Sequence, residues 1–399
     1  MIQQNGAALD GVRVLDFSRV LAGPLCTMQL GDLGAEVIKV ERPGSGDDTR
    51  HWGPPWHGET PDVQSAYFLS VNRNKRSLTL NLSTREGQEL ARRLAAQSQV
   101  VVENFMRGQM AQFGLDYERL KASNPGLVYC SITGFGQTGP YADRPGYDFV
   151  IQAMSGLMSI TGPIEGPPYK TGVAISDVIA GLFATTAILA ALRHSEQTGA
   201  GQYIDIALLD TQMAALVNVV SDHLVSGQTP RRYGNQHPNI VPYQTFRASD
   251  GEFVIAVGND GQFAKLCALL DRADLSSDPR FATNPARVHY REALVPEMQA
   301  IFAQRTVGEW IEALQAAEIP CGPINDLPTA LTDRQVAARG LIHAQDDLRL
   351  IASPLKLSET PATVGRLPPR LGEHTHEILR DLLGLADDTI ARYRSDGVV

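Results

Sequence analysis

Between Lys170 and Arg193 the chain runs for 22 residues with a single charge, Asp177. The residues after it (Val178, Ile179, Leu182, Phe183, Ala187, Ile188, Leu189) are apolar or small and fall at helical spacing, so the segment predicts a largely buried helix with a carboxylate at its head. A helix start offers free N–H groups and the positive end of a dipole, which keep a carboxylate ionised and orient it. Such a group is a candidate reactive centre. The plainer alternative is that Ser176 or Asp177 caps the helix.

Other side chains capable of chemistry lie near expected strand ends. Arg73, Lys75 and Arg76 cluster, and Arg42 follows the second expected strand. Arginine pairs well with phosphate, and parallel sheets bind ligands at strand ends; the alternative is a solvated charged face. Asn104-Phe105 closes the fourth strand, where an amide and a ring could hold a base, or simply make a turn above the core. Nine histidines include His237, His374 and His376, but no H-E-x-x-H or Cys/His spacing occurs, so no metal is expected. G-x-S-x-G and G-x-x-x-x-G-K-[ST] are missing too, which disfavours α/β-hydrolase and P-loop chemistry.

The elements that must position these residues alternate. Val12–Phe17 reads as a strand, Gly23 to Gly34 as a helix and Ala35–Glu41 as a strand. Ser77–Leu82, Val100–Phe105 and Leu127–Thr133 follow as strands, with helices at Thr84–Ala96 and Tyr117–Ala122 between them. This is an α/β pattern with a parallel, Rossmann-like sheet. The first turn, Ser18 to Pro24, is not the G-x-G-x-x-G fingerprint, so NAD and FAD are disfavoured. A glycine- and proline-rich loop (GFGQTGPYADRPG, 134–146) precedes a helix from about Asp148 to Ser159. Gln202–Asp210 reads as a strand running into a helix.

Composition shifts at 226–239 (SGQTPRRYGNQHPN), and Thr245–Val257 alternates like a hairpin around Ser249-Asp250-Gly251. The expected organisation is a large domain over 1–224, a smaller α+β domain over 225–325, and a C-terminal part over 326–399 that is too short for its own core and returns to the large domain.

The chain has 399 residues, 43% of them hydrophobic and 20% charged, which suits a globular protein with a large core. A net charge of −9 argues against general nucleic-acid or membrane-surface binding. The cysteines Cys26, Cys130, Cys267 and Cys321 lie far apart, which fits a reducing cytoplasm. The start, MIQQNGAALDGVRV, lacks a basic stretch followed by an apolar run, so no signal peptide is expected. The longest uncharged apolar run, Val178–Leu192, falls short of the roughly 20 residues of a membrane span.

Taken together, LDGVRVLDFSRVLAGP, LGDLGAEVIKVERPGSGD, NRNKRSLTLNL, VVENF, YCSITGFGQTGP, GYD, SDVIAGL, TGAGQYIDIALLD, PCGPIND and LGEHT resemble the family III CoA-transferases, a superfamily shared with the α-methylacyl-CoA racemases. The stretches span almost the whole chain. The resemblance implies a large α/β domain of N- and C-terminal parts, a small domain between them, and two chains interlocked as a homodimer. It implies that Asp177 is the nucleophile, that Val20, Ala22, Arg42, Leu80, Asn104 and Phe105 contribute to the CoA site, and that Tyr147 and Asp148 lie nearby. Coenzyme A enters as part of the acyl-CoA substrate, with no tightly bound cofactor. The chain departs from some members at Leu21, where a Gln stands, and at Gln112, where an Arg stands. Its 234–238 loop, GNQHP, holds one glycine where formyl-CoA transferases are glycine-rich, which disfavours oxalate as acceptor.

The racemases carry a His before the Asp that matches Asp148; here it is Tyr147. A phenol with a pKa of about 10 is a poor base for an α-proton at neutral pH, whereas an imidazole near roughly 6.5 is suited. Transferase chemistry is therefore favoured over racemase or epimerase chemistry, with a non-catalytic CoA-binding protein as a third reading. HPNIVPYQTF and GPIND are most similar to members that use succinyl-CoA with another dicarboxylate. A second substrate carboxylate would want a cation or a His, and Arg19, His237 and Arg231 are candidates.

Overall fold

The structure, a computed structural model, describes residues 6–59 and 63–399; the first five residues of the N-terminal stretch read above lie outside the described residues. The chain divides into two compact units. The first comprises residues 1–157, 171–228 and 335–399, the second 158–170 and 229–334.

Six strands make the sheet of the first unit: β1 (Arg13–Asp16), β2 (Glu36–Glu41), β3 (Lys75–Thr79), β4 (Val100–Glu103), β5 (Val128–Thr133) and β6 (Tyr203–Ala207). All pair in parallel, in the order β3-β2-β1-β4-β5-β6. This is the doubly wound order, in which the chain reverses direction between β1 and β4 and leaves a crevice beyond their carboxyl ends.

Alternation along each strand feeds a separate core on each face. Leu15, Ile38, Leu78 and Val101 pack with Leu90 and Leu94 of α2 (Arg85–Ala95) and with Ile378 and Leu379 of a C-terminal helix (Thr375–Asp381). Val14, Val37, Val100, Val102 and Cys130 pack with Cys26 and Leu30 of α1 (Ala22–Asp32) and with Ala180, Ala184 and Ile188 of the long helix α4 (Ile175–Thr198). Before α4 comes the short α3 (Asp148–Met154), and after β6 comes α5 (Leu208–Ala215). The C-terminal segment bonds to the edge strand: His374 N–H donates to Ser77 O at 2.9 Å and Asn81 N–H to Val398 O at 2.8 Å.

In the second unit, β7 (Tyr243–Arg247) and β8 (Glu252–Ala256) form the expected hairpin, with β9 (Cys321–Pro323) antiparallel beside β8. Phe246, Phe253, Phe263, Phe302 and Trp310 fill its core.

Two expectations are corrected. Arg73 and Lys75 do not form a phosphate cluster. β3 begins at Lys75, so they stand at the amino end of a parallel strand, away from the ligand edge. Arg73 is buried on Asp32 and Lys75 on Asp16, while Arg76 pairs with Glu36 and Glu377. Nor is α4 buried on all sides: Leu182 is 48% and Phe183 45% exposed. At 24 residues α4 is long and apolar enough to cross a membrane by length and composition, but its inner face is part of this unit's core.

Candidate active site

Asp177 sits in the first turn of α4. It is not the cap, and neither is Ser176; the capping position is Ala174, whose side chain makes no hydrogen bond. The cap comes from elsewhere in the chain. Asp148, at the start of α3, accepts the Ser176 N–H on Oδ1 at 2.8 Å. Its other oxygen accepts Gln152 Nε2 at 2.7 Å, and Gln152 Oε1 in turn accepts the Thr171 N–H at 2.9 Å. Ser176 Oγ donates to Gln212 Oε1 of α5 at 2.8 Å. Asp148, Gln152, Ser176 and Gln212 are all buried. Hydrogen bonds from two other elements, α3 and α5, thus fix the turn that carries Asp177.

No hydrogen bond to the Asp177 carboxylate occurs among the described residues, and the side chain is partly exposed. Burial first, and then the negative charge of Asp148, push its pKa up to about 7. Burial also raises the Tyr67 phenol, to about 12, with Asp177 the first of three carboxylates adding to the shift; the ring therefore stands within electrostatic reach of Asp177.

Asp177 lines a cavity of about 180 Å³ built from loops at the carboxyl edge of the sheet: Arg19 to Ala22 after β1, Asn104 to Arg107 after β4, Gly134 after β5 and Leu208 after β6. The crevice predicted by the strand order is thus occupied by the candidate nucleophile. The β1 and β4 loops are clamped across the reversal point. Asn104 Oδ1 accepts the Arg19 N–H at 2.9 Å, and Asn104 Nδ2 donates to Arg19 O at 2.7 Å. Next to this clamp, Val20 adopts φ of 70°, a strained conformation for a β-branched residue. The Val20 N–H donates to Asp47 Oδ1 at 3.2 Å, and Lys39 Nζ, wholly buried, donates to Asp47 Oδ2 and to Ser18 O, each at 2.8 Å. Burial alone would raise the Asp47 carboxyl, but the Lys39 charge and the hydrogen bonds outweigh it and bring the pKa to about 2.

Of the residues named from sequence, Arg19, Val20, Ala22, Asn104, Phe105, Tyr147 and Asp177 line this cavity. Arg42 and Leu80 line a second one of about 110 Å³, which shares Arg19, Asp48, Phe105 and Gln109 with the first. Asp148 lines neither, since both its oxygens are used inside the fold. His237 lies in the second unit, where its Nδ1 accepts the Asn239 N–H at 3.0 Å and its ring meets Tyr243 at 5.1 Å. Sequence reasoning missed Asp47, Gln152, Gln212, Arg107 and Arg144; of these only Arg144 carried a signal, its place in the glycine- and proline-rich loop.

The family profile of the family III CoA-transferases matches residues 9–375. The chain belongs to CoA-transferase family III. A CoA thioester is therefore a substrate of this enzyme. The chain is 46% identical to a succinate–glutarate CoA-transferase of Agrobacterium fabrum, covering 94% of this chain and 95% of that one. It is 42% identical to human succinyl-CoA:glutarate CoA-transferase, over 98% of this chain and 90% of the relative. A CaiB/BaiF family protein from Brucella suis has the same fold, with a TM-score of 0.86 and 46% identity over 95% of this chain and 100% of its own.

Proposed function

We propose that this CoA-transferase moves CoA from succinyl-CoA to a dicarboxylate of the glutarate kind, with Asp177 as nucleophile. The observation that carries the reading is an unbonded carboxylate, pushed up to about 7, in a cavity at the ligand edge of the sheet. The substrate pair is taken from relatives whose names give succinate and glutarate.

A carboxylate oxygen of Asp177 attacks the thioester carbon, the C–S bond breaks, and CoA leaves as thiolate with a mixed anhydride behind it. The thiolate then attacks the aspartyl carbonyl carbon and expels succinate, leaving an aspartyl-CoA thioester. The acceptor carboxylate attacks that thioester and releases the thiolate again; the thiolate takes the acceptor acyl group from the new anhydride and regenerates Asp177. Acyl activation is conserved throughout, so ATP is not needed. Water must be excluded while the anhydride exists, since it would hydrolyse the activated acyl group. The N–H groups at the uncapped start of α1, beside Ala22, are suited to the tetrahedral oxyanion.

In this reading Val20, Ala22, Asn104, Phe105 and Tyr147 hold the thioester end of CoA, and Arg42 and Leu80 a more distant part. Asp148 serves Asp177 from behind. Exposed large apolar side chains, among them Phe149, Val173, Leu182 and Phe183, are suited to cover by a second copy, in keeping with a homodimer. Four free cysteines suit the cytoplasm. A racemase would also use a carboxylate near 7, but the residue beside Asp148 is Tyr147 rather than His.

The test is intact mass after incubation with succinyl-CoA. The wild-type chain is expected to gain a CoA-sized or acyl-sized adduct mapping to residues 171–193, and Asp177→Ala to gain none. Binding without an adduct, together with exchange of the α-proton in heavy water, would move the racemase reading ahead.

A further inference from the structure

Three arginines line the Asp177 cavity, and their surroundings differ. Arg19 Nη1 pairs with Asp48 at 3.1 Å, with the guanidinium 5.5 Å from the Phe105 ring. Arg107 pairs with Asp143 at 3.2 Å. Arg144 has no carboxylate partner among the described residues; its guanidinium lies 4.0 Å from the Tyr141 ring centre. A guanidinium held over an aromatic ring, with no carboxylate paired to it, keeps N–H donors for a bidentate carboxylate contact. Once the two ion pairs are set aside, the charged groups of the lining reduce to Asp177 and Arg144.

The loop that carries Arg144 is held in place. A Cβ on Gly134 would stand 2.6 Å from Gly146 Cα, and one on Gly146 would stand 2.8 Å from Gly134 Cα, so the loop is pinched shut at its base by backbone packed on backbone. Arg144 N–H donates to Tyr141 O at 2.9 Å, which ties the arginine to the residue whose ring its guanidinium lies over. Four residues on, Asp148 bonds to the turn of Asp177. Nucleophile and cation are therefore carried on one continuous framework.

We infer that Arg144 is the specificity residue for the distal carboxylate of the substrate, and that it selects diacids over monoacids. This rests on the transferase reading above. A diacid that presents one carboxylate at Asp177 places the other on Arg144, where two parallel N–H···O bonds fix the acyl chain. A monoacid of equal length leaves the guanidinium unmatched.

The experiment loads the enzyme from succinyl-CoA and follows discharge of the adduct by glutarate and by pentanoate over a range of concentrations. Wild type is expected to half-saturate with glutarate at a concentration at least tenfold below that for pentanoate. Arg144→Gln removes that difference by raising the glutarate value tenfold or more while leaving pentanoate unchanged, and Arg144→Lys restores part of it. Equal use of both acids by wild type, an equal effect of Arg144→Gln on both, or loss of discrimination in Arg19→Gln with Arg144→Gln unaffected would each overturn the assignment. Absence of any adduct on wild type would instead overturn the transferase reading itself.

Discussion

The Asp148 carboxylate accepts the Ser176 backbone N–H at 2.8 Å, so the helix that presents Asp177 is capped by a residue 28 positions earlier in the chain. The same carboxylate is the second cause of the raised Asp177 pKa, after burial. One group therefore holds the reactive turn in place and makes its carboxylate more basic.

Those two effects separate by substitution. Asp148→Asn keeps an acceptor for Ser176 but removes the charge. Since Asp177 attacks as the ion, the adduct rate in wild type should rise about tenfold per pH unit below 7 and level off above it. In Asp148→Asn the midpoint should move below that of wild type while the plateau persists. The move should be smaller than the whole elevation, because burial is the larger cause and remains. Asp148→Ala removes the cap as well and should lower stability by roughly 0.5–2 kcal/mol. Rapid-quench adduct formation between pH 5 and 9 decides the point; an unmoved midpoint in Asp148→Asn would show that the Asp148 charge does not reach Asp177.

Asp177 should also cost stability. Its folded pKa, about 7, lies above its ordinary 3.8, so the folded chain binds the proton more tightly than the unfolded chain. Its contribution is fully present below about 3.8 and is lost as pH rises through about 7. Asp177→Asn removes this ionisation penalty. The full shift corresponds to at most about 4 kcal/mol, and the open side of the cavity reduces this to on the order of 1–2 kcal/mol. The variant should therefore match wild type in thermal unfolding at pH 4 and exceed it at pH 8. A constant difference across that range would contradict the raised pKa.

Asp47 gives the opposite slope. Its carboxyl is held at about 2, below the ordinary 3.8, so it contributes stability above 3.8 that is lost as pH falls through about 2. The shift corresponds to about 2 kcal/mol. Asp47→Ala leaves Lys39 buried without its carboxylate and frees the Val20 N–H. It should cost roughly 3–5 kcal/mol and raise KM for the CoA thioester, because the strained β1 loop loses its anchor. Denaturant unfolding at pH 7 measures the first effect and steady-state kinetics at a permissive temperature the second. An unchanged KM would show that the conformation of Val20 does not depend on Asp47.

The place of Asp177 in the first turn of a long apolar helix was legible from sequence, because a lone charge in such a run marks its end. Its cap was not, because the bond to Asp148 joins two helix starts that only the fold brings together. The strand–helix alternation announced a parallel sheet, yet alternation carries no order, so the reversal between β1 and β4 that opens the cavity appears only in the pairing. Arg73 and Lys75 were misread for a related reason. Charge sign is visible in a sequence, but Asp32 and Asp16, which bury and neutralise them, come from other elements. The uniformly apolar α4 gave no phase either, so exposure at Leu182 and Phe183 could not be told from burial at Ala184 and Ile188.

Gly181 joins the packing of α4 to the cavity. A Cβ there would stand 2.8 Å from Ala22 O and 3.3 Å from Leu25 Cδ2. Ala22 is the first residue of α1 and part of the cavity lining, so the methyl group of Gly181→Ala would push directly on the backbone proposed to face the thioester. Helix propensity favours alanine by about 1 kcal/mol, whereas overpacking costs roughly 1–3 kcal/mol. Backbone cannot rotate aside as a side chain can, so the clash should win and thermal stability should fall. The larger effect should be on function, with KM for succinyl-CoA rising and adduct formation slowing, since Asp177 lies one turn away on the same helix. Gly199→Ala is the control: it lies beyond the end of α4, where an added Cβ meets nothing within 4 Å but φ is 74°, so it should lose stability through backbone strain alone. If Gly181→Ala shows the same pattern as this control, losing stability with kinetics intact, then the α1–α4 contact supports the fold without setting the geometry of the cavity.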